Sequence, residues 1–447
     1  MPQEWLTTAS LLPPSCIAAC ELIPLSGILS SFVSLRTDSS LVTQTFGCPI
    51  LSRLHVKGWD TANAHSQFCS QSMHYPQSMG FQDFLGNTAT VTHLRESIRS
   101  GRFPHSMILA GPRGAGKYTL ALMLAKAVNC LKPTESDGLP DFCGICSNCV
   151  RIAASADLET LVEEAVAARD DLRETDKRET RILIQTHPDL LIIPPDPPQL
   201  MIKLGQIRQA IHVAFYRPPA ESSRAFTIFT SSNFMKEAAN SLLKLLEEPP
   251  DHTSLILLTE NPQELLPTIR SRAVIHRLGV IPAADLESLL ARRRTELKPQ
   301  DRALVARLAM GAVGRALSID LGTYLASRED ALIILRTAIR EPDYSALFHA
   351  TESYRAGADG QEKTVNLLRA LGSLIEDLLL IVAGTPSLIR NIDISAELTR
   401  LSDGLSVEWI DSAARALVQV EQGMRRNLLR SLSLDAMTMS LTAESLR

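Results

Sequence analysis

Apolar and polar positions fall into regular periods from about Met79 onward, and the period changes from segment to segment. Thr90 to Ile98 carries apolar residues at helical spacing, and HSMILAG (105–111) is a short apolar run of strand length. YTLALMLAKAVN (118–129) returns to the helical period, with Leu120, Leu124 and Val128 on one face. Three further apolar runs, PDLLIIP (188–194), RAFTIFT (224–230) and SLILLTE (254–260), predict buried strands. KEAANSLLKLLEEP (236–249) predicts a helix between the last two. Strands alternating with helices predict an α/β domain, a parallel sheet covered on both faces. Strand signals cease near 280, and the remainder reads as all-α. Breaks at Gly311–Gly314 and at Glu341–Pro342 predict a small helical domain over 278–341 and a larger one over 342–447.

Two stretches depart from this pattern. Residues 1–78 hold seven charged side chains among many Ser, Thr, Pro and Gln, and no period lasts through a whole element. A segment without a face to bury cannot offset its ordering entropy. It is expected to be a disordered extension or the product of a start codon placed too early, with the α/β domain running over 79–277. Residues 157–181 are densely charged, and Leu158, Leu161, Val162, Ala165 and Val166 share one helical face before the pattern dissolves. That predicts an inserted, solvated helix with a flexible tail. Composition, at 45% hydrophobic, 21% charged and net charge −4, leaves only a local basic face to attract nucleic acid. The best candidate span, LIPLSGILSSFVSL (22–35), is interrupted by proline, glycine and serines and lacks a basic flank. No membrane attachment is expected, and the expected location is cytoplasmic.

GPRGAGK (111–117) follows a strand and opens a helix, the setting in which such a loop binds phosphate. Gly111, Gly114 and Gly116 let backbone amides curl around phosphate oxygens, and Lys117 would reach the terminal phosphates. The next position normally supplies the hydroxyl that ligates magnesium. Here it is Tyr118, and Thr119 points about 100° further round the helix. The second metal-holding element should be a carboxylate at the end of a later strand, yet RAFTIFT ends in Thr230-Ser231-Ser232-Asn233. Both departures argue against hydrolysis, and Mg-ATP is not expected to bind productively. Cys130, Cys143, Cys146 and Cys149 are spaced C-x12-C-x2-C-x2-C. Four thiolates so close favour a structural zinc ion with a closed tetrahedron over disulfides or unrelated buried cysteines. Arg270 and Arg272 flank Ser271 in PTIRSRA (267–273), Thr259 ends SLILLTE, and Arg315 lies in GAVGRA. Read by themselves, these are ordinary surface or site residues.

Taken in order, FQDFLGN (81–87), the phosphate loop, the cysteine cluster, HPDLLII (187–193), NSLLKLLEEPP (240–250) and NPQELLPTIRSR (261–272) resemble one family. It is the AAA+ clamp-loader subunits of bacterial DNA polymerase III, and within it the delta-prime type. The resemblance is dense from 80 to about 277, and NLLRSLSLDAMTM (427–439) matches the family's last helix only loosely. It implies an AAA+ module, a helical lid and an all-α C-terminal collar that joins subunits into a ring. It also implies that Arg272 is an arginine finger serving the ATP of a neighbouring subunit, although Ala273 replaces the family's usual cysteine. Thr259 and Arg315 match its sensor positions. The implied role is a non-hydrolysing subunit within the polymerase III holoenzyme. Its implied partners are delta, gamma/tau, the sliding clamp and, through the assembly, primed DNA. Two alternatives stay open: an ATP-hydrolysing gamma/tau-like subunit with an atypical loop, and a non-replicative adaptor on the same fold.

Overall fold

A computed structural model describes residues 80–445 apart from 198, 216–221, 341–342, 356 and 426–428. The extension expected over 1–78 and the break expected at Glu341–Pro342 lie outside the described residues.

Strands β1 (Ser106–Ala110), β4 (Ile184–His187), β5 (Leu190–Ile193), β6 (Ala225–Phe229), β7 (Thr253–Thr259) and β8 (Val274–Arg277) form one sheet in the order β4-β5-β6-β7-β1-β8. Five of them run parallel. The expected parallel sheet is present, and β4 is added to it antiparallel to β5. The cause is local: only Pro188 and Asp189 separate the two strands, far too few residues for a crossover. β1, β5, β6 and β7 are buried along their whole length, as strands covered on both faces must be.

Alternation of side chains assigns the two covers. Met107, Leu109, Leu190, Ile192, Phe226, Ile228 and Ile256 face a core completed by α1 (Thr88–Arg99), α2 (Lys117–Asn129) and α3 (Ser147–Ala153). Ile108, Leu191, Ile193, Leu255 and Leu257 face the other core, closed by α6 (Leu204–Ala214) and α7 (Lys236–Glu247). The 157–181 segment forms two helices, α4 (Leu158–Asp170) and α5 (Glu174–Glu179), where one helix and a flexible tail were expected. Nor is α4 wholly solvated: Leu158, Leu161, Val162 and Ala165 pack on the first core, because the apolar stripe is wide enough to be worth burying.

A two-stranded hairpin, β2 (Thr134–Ser136) and β3 (Leu139–Asp141), projects between α2 and α3. Its turn places Asp137 and Gly138 at φ 52° and 70°, the positive values a two-residue hairpin loop requires. Buried Arg95 of α1 grips the hairpin, donating to the carbonyls of Ser136, Leu139 and Pro140 at 2.6, 2.9 and 3.0 Å. Asp141 holds the entering chain by accepting the Phe81 amide at 3.2 Å.

After the short helix α8 (Pro267–Arg270) and β8, the chain is helical: α9 (Ala283–Arg293), α10 (Pro299–Leu308), α11 (Val313–Ser318) and α12 (Leu321–Ile339). The chain divides into two compact units, one ending at Tyr324 and the other beginning at Leu325, within α12. The second unit continues with α13 (Tyr344–Glu352), α14 (Gly357–Val382), α15 (Ser395–Ser402), α16 (Val407–Arg425) and α17 (Arg430–Ser445). Its core is built on Leu367, Leu371, Leu374 and Leu378 of α14 with Ile410 and Leu417 of α16. Fully buried Asp377 accepts the amides of Arg390 and Asn391 and the Asn391 Nδ2 group, which ties down the chain after α14. Among the described residues no helix is long and apolar enough to cross a membrane.

Candidate functional site

The 111–117 loop joins β1 to α2 and adopts the curled path that its glycines permit, with Gly114 and Gly116 at φ 80° and 85°. A β-carbon on Gly116 would press on the Phe84 ring, and one on Gly114 would lie 2.8 Å from the Arg315 amide nitrogen. The second contact is reinforced by a backbone bond, Gly314 N–H to Gly114 O at 2.8 Å. The start of α11 is therefore seated directly on the loop.

Lys117 turns back into the loop, donating through Nζ to the carbonyls of Gly111 at 2.7 Å and Pro112 at 2.9 Å. Burial brings its pKa down to about 8, with the Glu260 carboxylate opposing and Arg113 adding to the effect. Glu260, next to Thr259 at the end of β7, is an acid that strand-end reasoning on β6 did not anticipate. The Tyr118 hydroxyl donates to the Ser155 carbonyl at 2.5 Å. Burial pushes that phenol's pKa up. After β6 the chain carries hydroxyls and an amide, Thr230-Ser231-Ser232-Asn233, and no carboxylate. Asn233 Nδ2 donates to Leu200 O, and Ser232 Oγ donates to Glu264. Thr259 Oγ1 is engaged locally, donating to the Asn261 carbonyl and accepting its amide. Arg315 is exposed at the start of α11.

Arg272 lies elsewhere. β8 runs parallel to β1 with Val274 opposite Met107 and Arg277 opposite Ala110. Arg272 precedes this pairing while the loop follows it, so the length of the strand, roughly 10 Å, separates their ends of the sheet. The guanidinium is about one-third exposed and pairs with Glu247 at 2.7 Å, while Nη1 donates to the Thr268 carbonyl at 2.9 Å. Arg270, its neighbour in the motif, donates to the Gln263 side chain. Glu247 belongs to the LLEEPP stretch, but sequence pattern alone did not connect it to Arg272.

The four cysteines converge as expected. Their sulfurs all lie within 4.8 Å of one another; Cys130 is 3.5 Å from Cys143, 3.7 Å from Cys149 and 3.9 Å from Cys146. A tetrahedral site with metal–sulfur bonds of about 2.3 Å has sulfur–sulfur edges of about 3.8 Å, so the set fits a metal such as zinc. Burial pushes the Cys130 and Cys149 thiols up. At Cys146 burial is outweighed by hydrogen bonds from the Cys149 and Leu131 amides, which bring it down to about 6.

Residues 86–281 match the family described as "DNA polymerase III, delta subunit". The chain is similar to the DNA polymerase III subunit gamma/tau of Mycobacterium tuberculosis, 30% identical over 217 residues, 47% of this chain and 31% of that protein. It is also similar to the delta' subunit of Bacillus subtilis, 36% identical over 180 residues, 40% of this chain and 43% of that protein. The chain thus spans under half the length of either relative. Among solved structures, a DNA polymerase III gamma subunit-related protein of Thermotoga maritima aligns at 15% identity with a TM-score of 0.32, over 80% of this chain and 99% of that one.

Proposed function

Because residues 86–281 match the family described as "DNA polymerase III, delta subunit", we propose that this chain is an AAA+ clamp-loader subunit of the DNA polymerase III type, and the delta-prime-like, non-hydrolysing member of such a loader. It supports ATP-driven opening of a sliding clamp and its placement on primed DNA, in the cytoplasm. Its partners are delta and gamma/tau subunits and the clamp, and DNA is reached through the assembly. The base over 79–277, the lid over 278–341 and the collar over 342–447 are part of this reading.

The observation that carries it is the separation of Arg272 from the chain's own loop by the length of β8. A guanidinium at that end of the sheet is remote from the chain's own loop, which supports a role toward a nucleotide held by a neighbour. A finger acting across an interface needs only position and charge, because it stabilises negative charge developing on another chain's phosphates. The residues of the loop do not fit Mg-ATP: Tyr118 is committed to Ser155, and β6 ends without a carboxylate. The cysteine set fits a structural zinc that would hold Cys130, at the end of α2, to the knuckle before α3.

Reconstitution with candidate delta, gamma/tau and clamp proteins tests the reading. Arg272→Ala should lower clamp-stimulated ATP turnover at least ~10-fold while the assembly persists, given the large rate effects of such fingers. Unchanged turnover sinks the trans role. Magnesium-dependent hydrolysis by the purified chain, lost in Lys117→Ala, would favour the gamma/tau-like alternative, and failure to co-purify with loader subunits would favour an adaptor.

A further inference from the structure

Glu247 is the last residue of α7, and its carboxylate meets Arg272 Nη2 at 2.7 Å. A helix C-terminus carries negative potential, so a carboxylate there does nothing for the helix unless a cation from outside offsets it. Arg272 supplies that cation from the turn after α8. The pair is open to water, with Glu247 about half exposed, and exposed pairs contribute little to stability. Its effect is therefore on where the guanidinium sits, rather than on whether the chain folds.

One core fixes both ends of the pair. Leu242, Leu245 and Leu246 of α7 are buried in it, and so is Ile269 of α8. Beyond Ile269 the turn is tight: Ser271 N–H donates to the Pro267 carbonyl at 3.0 Å, and Arg272 N–H to the Ile269 carbonyl at 3.1 Å. The Arg272 side chain folds back on this turn, Nη1 donating to the Thr268 carbonyl at 2.9 Å and to Ser271 Oγ at 3.3 Å. Those contacts are local and secure one nitrogen. Glu247, from a different helix, secures the other. A side-on fork onto phosphate uses Nε together with an Nη2 hydrogen, and Nε takes no part in the contacts that hold the group.

We infer that Glu247 is a positioning residue for Arg272, fixing the guanidinium before it meets a neighbour's nucleotide. The inference rests on the trans role proposed for Arg272 and adds a second residue to it. A long side chain ordered in advance does not lose that rotamer freedom at the moment of reaction. Glu247 acts only through the arginine, and its own proton plays no part.

A double-mutant cycle in the loader reconstituted with delta, gamma/tau and clamp tests this. Glu247→Ala is expected to lower the kcat of clamp-stimulated ATP hydrolysis ~5-fold and leave the KM for ATP within about twofold, because the finger acts on charge that develops only in the transition state. In an Arg272→Ala loader the same substitution should change nothing further. The urea midpoint of the chain alone should hold or rise, since the change removes a carboxylate from a helix C-terminus. A lowered midpoint marks a structural role and overturns the inference. So does unchanged or raised turnover in Glu247→Ala, or an equal loss in both backgrounds, and in each case the effect of Arg272→Ala still stands. If Arg272→Ala itself leaves turnover unchanged, the finger fails and the positioning role falls with it.

Discussion

Tyr118 occupies the position from which a small hydroxyl would reach a magnesium ion, and its own hydroxyl is spent on the Ser155 carbonyl. Ser155 is fully buried, between α3 and α4, so the bond joins α2 to the turn that leads into the insertion. Tyr118→Phe leaves that carbonyl without its partner and should cost about 1–3 kcal/mol, read as a lower urea midpoint. No change would mean that water replaces the phenol freely. The identity of the loop residues was legible in the sequence because the motif's spacing is rigid. The use made of the tyrosine was not, because Ser155 lies 37 residues away and nothing in local pattern points to it. Arg95 offered a signal that went unread: a charged residue beside Val91 and Leu94, on the face of α1 that is buried.

The cysteine hairpin is secured from two directions. Arg95 and Asp141 anchor it to α1 and to the entering chain, and the four sulfurs close its base. The hairpin itself is only two three-residue strands, too small to be stable alone. If zinc holds the sulfurs together, stripping it with a chelator should raise hydrogen exchange over 130–153 while α7 keeps its protection. Metal analysis should find about one equivalent before treatment and none after. Equal protection before and after would mean that Arg95 and Asp141 suffice. The clustering was readable from C-x2-C-x2-C. The antiparallel strand β4 was not, since IQTH carries little apolar signal and its pairing is set by the two-residue turn before β5. The packed face of α4 was visible as a stripe, but the surrounding charge drew it toward solvent in the sequence reading.

At the scale of the molecule, each compact unit has its own means of holding its chain in place. The unit beginning at Leu325 relies on Asp377, whose carboxylate takes three hydrogen bonds away from water. Asp377→Ala should destabilise that unit by more than about 3 kcal/mol, seen as an earlier loss of helical signal on heating. An unaltered melting curve would show that α14 and α16 hold it without the network. The helical character of this region was plain from the absence of strand runs after 280. α12 runs unbroken through Tyr324 and Leu325, so no turn residue marks the boundary between the two units. In the other unit, α11 is fastened to the phosphate loop by the amide of Gly314 and the carbonyl of Gly114. Both partners are main-chain atoms on residues without side chains. Alanine scanning in the usual sense, which trims groups away, has nothing there to trim. Sequence drift can erode a catalytic serine or aspartate one residue at a time, yet it leaves such a clasp intact until a change adds bulk. A fold can therefore lose its chemistry by degrees and still keep its shape.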